Sequence, residues 1–336
     1  MTASRPSRFH IEIDFNREGK QTGFARIPHS VHRSAYGWIP MPIACIKNGA
    51  GPRVVLTAGN HGDEWEGQVA LGRLIRELDP AQVRGTLIVL PSANFPAAMA
   101  GMRTSPIDGG NLNRSFPGSP DGGVTSQIAH FIATVLLPGA DYAFDFHSGG
   151  SSLNYIPSAL GKRRKTKAST DKLIGLLRTF GAPVSYIGTS LPGLDQTLSS
   201  AAENLGVVTM GTELGGGGQV TPAILDLAEA GIRRLLAHVK AYTGPVTKGK
   251  ATRLLEVGGP DYYVYAPEDG IFQPLAELGD SVKRGQKAGL MHFNHTPWRE
   301  PAVASFGHDG LVVCKRAVGR SERGDCLYHL GTDWKG

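Results

Sequence analysis

The stretch TAGNHGDEWEG, residues 57–67, sets His61 three residues before Glu64. Imidazole and carboxylate both bind divalent metals, and a helix starting near Gly62 would put the two positions on one face. Asp63 and Glu66 turn away from His61 on that geometry and instead favour the positive end of the helix dipole. Alone, His-x-x-Glu fits a plain acidic helix start as well as half of a metal site. A third ligand shifts the balance, and the strand-like stretch YAFDFHSGG supplies one in His147. Two imidazoles and one carboxylate leave a fourth position for water, the coordination that a catalytic zinc needs. Asp145, two residues earlier on the same strand face, either orients an imidazole from behind or caps the loop.

Further residues with chemistry to offer lie at strand ends or in long loops. Glu213 closes VVTMGTE just ahead of four glycines. Beside a metal it reads as a general base; without one it reads as a turn glutamate. The turn-rich stretch GMRTSPIDGGNLNRSFPG carries Arg103, Asn113 and Arg114 and is long enough to reach over a site. An arginine fork suits a substrate carboxylate, and Asn113 adds a donor. The GGGG run at 215–218 lacks a GxGxxG or GxxxxGK[ST] context, so it reads as a pliable loop. No GxSxG elbow is present, which counts against a serine hydrolase. His130 reads as a packed helix residue, and His292, His295, His308 and His329 lack ligand-like spacing.

The elements that must position these residues follow from periodicity. Residues 8–50 alternate in short pieces and read as edge or meander strands. RVVLTAG is a buried strand, EWEGQVALGRLIREL an amphipathic helix, and GTLIVLPSAN the next strand, a unit that favours a parallel crossover. The alternation continues through a helix over about 125–137, the YAFDFH strand, the DKLIGLLRTFG helix, the VVTMGTE strand and a long helix from Pro222. This predicts an α/β domain with a largely parallel sheet over residues 1–245. From 246 to 336 the texture is β-rich, and EDGIFQPLAELGD echoes HDGLVVCKRAVGR, with Gly270 to Gly279 matching Gly310 to Gly319. Two related hairpins predict a C-terminal all-β unit, barrel- or sandwich-like. It is similar to the biotinyl/lipoyl carrier fold but has no Met-Lys-Met turn, so it reads as structural.

Composition excludes several classes. No apolar run approaches the roughly 20 residues of a membrane span, and MTASRPSRFHIEIDF has no apolar export core. Cys45, Cys314 and Cys326 form no CxxC pair, so no disulfide framework is expected and the cytoplasm is the expected location. The net charge of +6 is scattered apart from GKRRKTK at 161–167, which argues against a nucleic-acid partner. That run is either a solvated loop or an attractor for an anionic substrate.

In order along the chain, His61-x-x-Glu64, Asn113-Arg114, His147 and Glu213 resemble the succinylglutamate desuccinylase/aspartoacylase family, a branch of the zinc carboxypeptidase-like hydrolases. The resemblance covers roughly residues 50–240 and implies a zinc-carboxypeptidase-like α/β domain with a mixed, largely parallel sheet, to which the family commonly adds a C-terminal β-domain. It further implies one Zn2+ per subunit on His61, Glu64 and His147, with Glu213 as the catalytic glutamate. Asn113 and Arg114 match the substrate-carboxylate clamp, and Arg103 the arginine that polarises the scissile carbonyl. The Arg103–Arg114 loop departs from the shorter one expected in aspartoacylase by TSPIDGG. The wording RTSPIDGGNLNRSFPG, DFHSGG and TELGGGG is most similar to the N-acetyl-diaminobutyrate deacetylases of that family. The implied activity is zinc-dependent release of a small acyl group from an N-acyl amino acid, with the small-molecule substrate as partner and self-association left open. The alternatives are a zinc metallocarboxypeptidase acting on peptides and a non-catalytic binding protein built around the tail.

Overall fold

The computed structural model describes residues 6–188 and 195–336; the first five residues of the stretch read for an export signal lie outside these. The chain opens with the expected antiparallel meander, β1 (His10–Ile11), β2 (Gly19–Pro28) and β3 (Trp38–Asn48). The apolar run of β4 (Arg53–Ala58) is buried, as a strand covered on both faces requires. α1 (Trp65–Glu77) carries the chain over to β5 (Gly85–Leu90), parallel to β4. α2 (Phe95–Ala100) and α3 (Val124–Phe131), which runs on as a π turn, lead to β6 (Tyr142–His147) on the other side of β4.

Two strands that periodicity did not disclose come next, β7 (Leu153–Tyr155) and β8 (Ser158–Lys162). β7 has only three residues, and β8, SALGK, carries no apolar–polar alternation. α4 (Lys167–Phe180), β9 (Val184–Gly188), α5 (Leu198–Asn204), β10 (Val208–Glu213) and α6 (Pro222–His238) complete the α/β part. The basic run at 161–167 is not a free loop: Lys162 ends β8, Thr166 caps α4 in a reciprocal box with Ser169, and Arg164 pairs with Glu203.

β5, β4, β6 and β10 lie side by side and parallel, with antiparallel strands flanking them, so the sheet is mixed with a parallel centre. Val54, Leu56 and Ala58 of β4 join the core under α1, α4 and α6. Val55, pointing the other way, joins Ile128 and Phe131 of α3 and Leu198 of α5. Helices on both faces are what a parallel centre demands. No helix among the described residues is long and apolar enough to cross a membrane.

Beyond residue 245 come β11 (Arg253–Val257), β12 (Tyr263–Tyr265), β13 (Gly270–Pro274), β14 (Ser281–Val282), β15 (Lys287–His292), β16 (Ala302–Ser305), β17 (Gly310–Arg316), β18 (Arg320–Ser321) and β19 (Cys326–Asp333). β13, β15, β16 and β18 make a second, antiparallel sheet, whereas the others extend the main one. The two repeats pair reciprocally: β13, opening at Gly270, takes β18 from the second, and β17, opening at Gly310, takes β14 from the first. Phe272, Met291, Phe306, Val312 and Leu327 share one core across the two sheets. Two seams join this part to the rest: β11 runs parallel to β9, and β7 pairs with β17.

Candidate metal centre

β4, β6 and β10 end together at one edge of the sheet, where parallel α/β folds keep their sites. The register aligns Glu213 with His147, and His61 follows β4 by three residues. His61, Glu64 and His147 are all buried, and the imidazole centroids of the two histidines lie 5.2 Å apart. His61 Nδ1 is 2.6 Å from Glu64 Oε1, and His147 Nδ1 is 2.8 Å from Glu64 Oε2.

The expected shared helix face is not how His61 and Glu64 meet. α1 begins at Trp65, and residues 61–64 form a turn closed by Glu64 N donating to His61 O at 3.4 Å. Gly62 makes the turn possible: a Cβ there would lie 2.0 Å from the Ala97 carbonyl carbon of α2. Asp63 also departs from its expected dipole role. Its Oδ2 accepts from Ser151 N and Oγ, both at 2.8 Å, tying the His61 turn to the loop after His147. Glu66 does sit in the first turn of α1, and burial raises its pKa.

Behind the ligand candidates the far imidazole nitrogens are held. His147 Nε2 lies 2.7 Å from Asp145 Oδ2, so the orienting reading of Asp145 fits the geometry. Asp145 accepts in turn from Thr57 Oγ1 at 2.7 Å and Asn60 Nδ2 at 3.0 Å. His61 Nε2 lies 3.2 Å from Asn111 Oδ1. Thr57, Asn60 and Asn111 were not read as site residues. Thr57 and Asn60 sit inside the opening stretch, but their pairing with Asp145 spans 88 and 85 residues and has no local signal.

Burial opposes ionisation of Glu64, yet the flanking His61 and His147 outweigh it and hold the carboxyl far below the usual range. For His147, burial disfavours the charge, but Asp145 and Glu64 overcome it and raise its pKa well above that of a free imidazole. Burial dominates at His61 and lowers its pKa. Two nitrogens and a carboxylate, within 4.8 Å of one another and braced from behind, suit the donor preferences of Zn2+.

A cavity of about 430 Å3 opens onto this group. Its wall includes Arg103, Asn113, Arg114, Tyr155, Lys162, Glu203 and Glu213. Arg103 is half-exposed, with Nη1 3.4 Å from Glu64 Oε1. Asn113 Oδ1 accepts from Leu198 N at the start of α5, which leaves its amide N–H groups as its donors. Arg114 Nη1 is steadied by Asn113 O at 2.7 Å. Glu213 is raised well above the carboxylate range, chiefly by burial and then by the charge of Glu64. Its Oε2 is buried with no hydrogen-bond partner among the described residues. His130 is packed in α3, as expected, whereas His329 is buried in a ring of tyrosines.

The succinylglutamate desuccinylase/aspartoacylase catalytic domain matches residues 50–239 of this chain. The N-alpha-acetyl-L-2,4-diaminobutyric acid deacetylase of Halomonas elongata is 36% identical over 324 residues, 96% of this chain and 94% of that one. A succinylglutamate desuccinylase/aspartoacylase crystal structure from Rhodobacter sphaeroides superposes with a TM-score of 0.93 at 37% identity, covering 98% of this chain and all (100%) of that one. The product-bound ectoine utilization protein EutE (DoeB) of Ruegeria pomeroyi gives 0.92 at 37% identity over the same 98% and 100%. These matches define a deacylase-type α/β enzyme. The chain belongs to the succinylglutamate desuccinylase/aspartoacylase family.

Proposed function

We propose that this chain is a zinc-dependent deacylase that removes the acetyl group from Nα-acetyl-2,4-diaminobutyrate or a close N-acyl amino acid. The observation that carries the reading is the facing of His61 Nδ1 and His147 Nδ1 across the Glu64 carboxylate, with both Nε2 atoms held at the back. Similarity to the Halomonas elongata deacetylase supports the substrate class.

His61, Glu64 and His147 would hold one Zn2+ per subunit. When bound, zinc would supply Lewis acidity toward the attacking water and the scissile carbonyl. Glu213 accepts the proton of the attacking water and passes it to the departing amine, so that the C–N bond breaks after the C–O bond forms. Burial raises its pKa, which makes it a stronger proton acceptor than an exposed carboxylate. Arg103 donates to the carbonyl oxygen as negative charge develops there. Arg114 and Asn113 grip the substrate α-carboxylate and hold the amide in register. Residues 1–245 carry this chemistry, and residues 246–336 form the β-unit sewn to them along β9–β11 and β7–β17. Three free thiols suit a reducing cytoplasm.

The test is elemental analysis of the purified protein, alongside hydrolysis of Nα-acetyl-diaminobutyrate, N-succinylglutamate, N-acetylaspartate and a dipeptide series. The reading predicts about one zinc per chain and fastest turnover of the first compound. Failure to take up zinc, or a preference for dipeptides, sinks it.

A further inference from the structure

A file of side chains leads away from the cavity behind Glu213 and has no part in the steps above. Tyr155 of β7 forms part of the cavity wall. It stands opposite Cys314 on β17, which stands opposite His329 on β19, which stands opposite Tyr263 on β12. Directly opposed residues of antiparallel strands share a face, so these four cross from the cavity into the C-terminal strands in one row. His329 lies flat on Tyr263, with ring centroids 4.5 Å apart and planes 7° apart. It is edge-on to Tyr186 and Tyr155 at 5.6 and 6.2 Å.

His329 is 4% exposed, and both ring nitrogens are buried without a hydrogen-bond partner among the described residues. A neutral imidazole has one donor and one acceptor nitrogen, and leaving both unmade in a buried site is costly. The Oε2 atom of Glu213 has the same defect. Tyr155 lines the same cavity as Glu213, and Tyr155 and Tyr186 both stand edge-on to His329, so the row of rings connects the cavity wall to the buried imidazole. A buried water needs two to four polar partners, and His329, the tyrosine hydroxyls and Glu213 Oε2 together offer them.

We infer that His329 is a positioning residue: it orders buried water that reaches Glu213 past Tyr155 and Tyr186, and so fixes that carboxylate for proton transfer. The inference rests on the reading of Glu213 as the proton-transfer group. An imidazole present only for packing could be replaced by phenylalanine, which stacks on Tyr263 equally well.

Two measurements on the full chain test it. A crystal structure of the parental protein is expected to show water within hydrogen-bond distance of a His329 nitrogen; its absence overturns the inference whatever the kinetics. In zinc-loaded protein, His329→Phe is expected to lower kcat about tenfold, the scale of a lost orientation, with KM within about twofold and zinc content unchanged. His329→Gln, which restores a donor and an acceptor, is expected to recover part of that loss. Parental kcat in His329→Phe overturns the proposal, and so does an equal fall of kcat and zinc content in both variants, which would mark a mere brace. Failure of the functional reading is seen separately, as parental turnover in Glu213→Gln.

Discussion

One added methyl group at Gly62 should disable the proposed metal site without touching any of its candidate ligands. A Cβ there would lie 2.0 Å from the carbonyl carbon of Ala97 and 2.2 Å from its oxygen. Carbon atoms pack at about 3.5–4 Å, so either the 61–64 turn or α2 retreats by about 1.5 Å. Both obstacles are backbone, and no rotamer change relieves the clash. His61 adjoins the substituted residue and Glu64 lies two residues beyond it in the same turn, so both move with it. A displacement of about 1 Å costs about a hundredfold in turnover where orientation matters. Gly62→Ala is therefore expected to lower kcat/KM about a hundredfold and to weaken zinc binding at least about tenfold, read by competition with a chelating dye. Overpacking should also remove about 1–3 kcal/mol from urea-unfolding stability. Gly72 on α1 is the control, because a Cβ there meets only Arg76 Nη1 at 3.6 Å. Gly72→Ala should leave zinc and turnover alone and stabilise the helix by about 0.5–1 kcal/mol. Parental zinc affinity and turnover in Gly62→Ala would refute the claim that this close-packed turn sets the ligand geometry.

Glu213→Gln should retain zinc and lose about a hundredfold or more in kcat; retention of parental turnover would remove Glu213 from the proton-transfer role. Arg114→Ala should raise KM for Nα-acetyl-diaminobutyrate about tenfold or more with kcat changed far less, and the opposite split would dismiss the carboxylate clamp. Burial pushes the pKa of His329 down to about 3, against about 6.5 in the unfolded chain. The unfolded chain therefore takes up the proton first. This residue's contribution to stability is whole above about pH 6.5 and is lost toward pH 3, at about 1.4 kcal/mol per unit. Urea denaturation at about pH 7.5 and 5 should show a loss of about 2 kcal/mol that His329→Phe lacks; identical pH slopes would contradict a buried neutral histidine.

The fold class was legible because its signals are local. Apolar runs such as that of β4 mark covered strands, and the 3.6-residue spacing of Ala70, Leu71 and Leu74 marks the buried face of α1. The residue types of the candidate metal centre were legible for a related reason: His61, Glu64, His147 and Glu213 each follow or end an apolar strand, and that placement sends them to one edge of a parallel sheet. The three-residue strand β7 and the five-residue strand β8 gave no such signal, and the run at 161–167 consequently read as a loop or an attractor.

The amino-acid sequence by itself determined which side chains could bind a metal and roughly where along the sheet they would emerge. Only the tertiary structure decided how they meet: in a turn wedged against α2 instead of on a helix face, with Asn111 behind one imidazole and Asp145 behind the other. It also decided that His329, 116 residues beyond Glu213, packs against Tyr155, which lines the same cavity as Glu213. Periodicity reports which face of an element is apolar. Register and close approach between distant segments depend on how whole faces pack, and no local spacing encodes that.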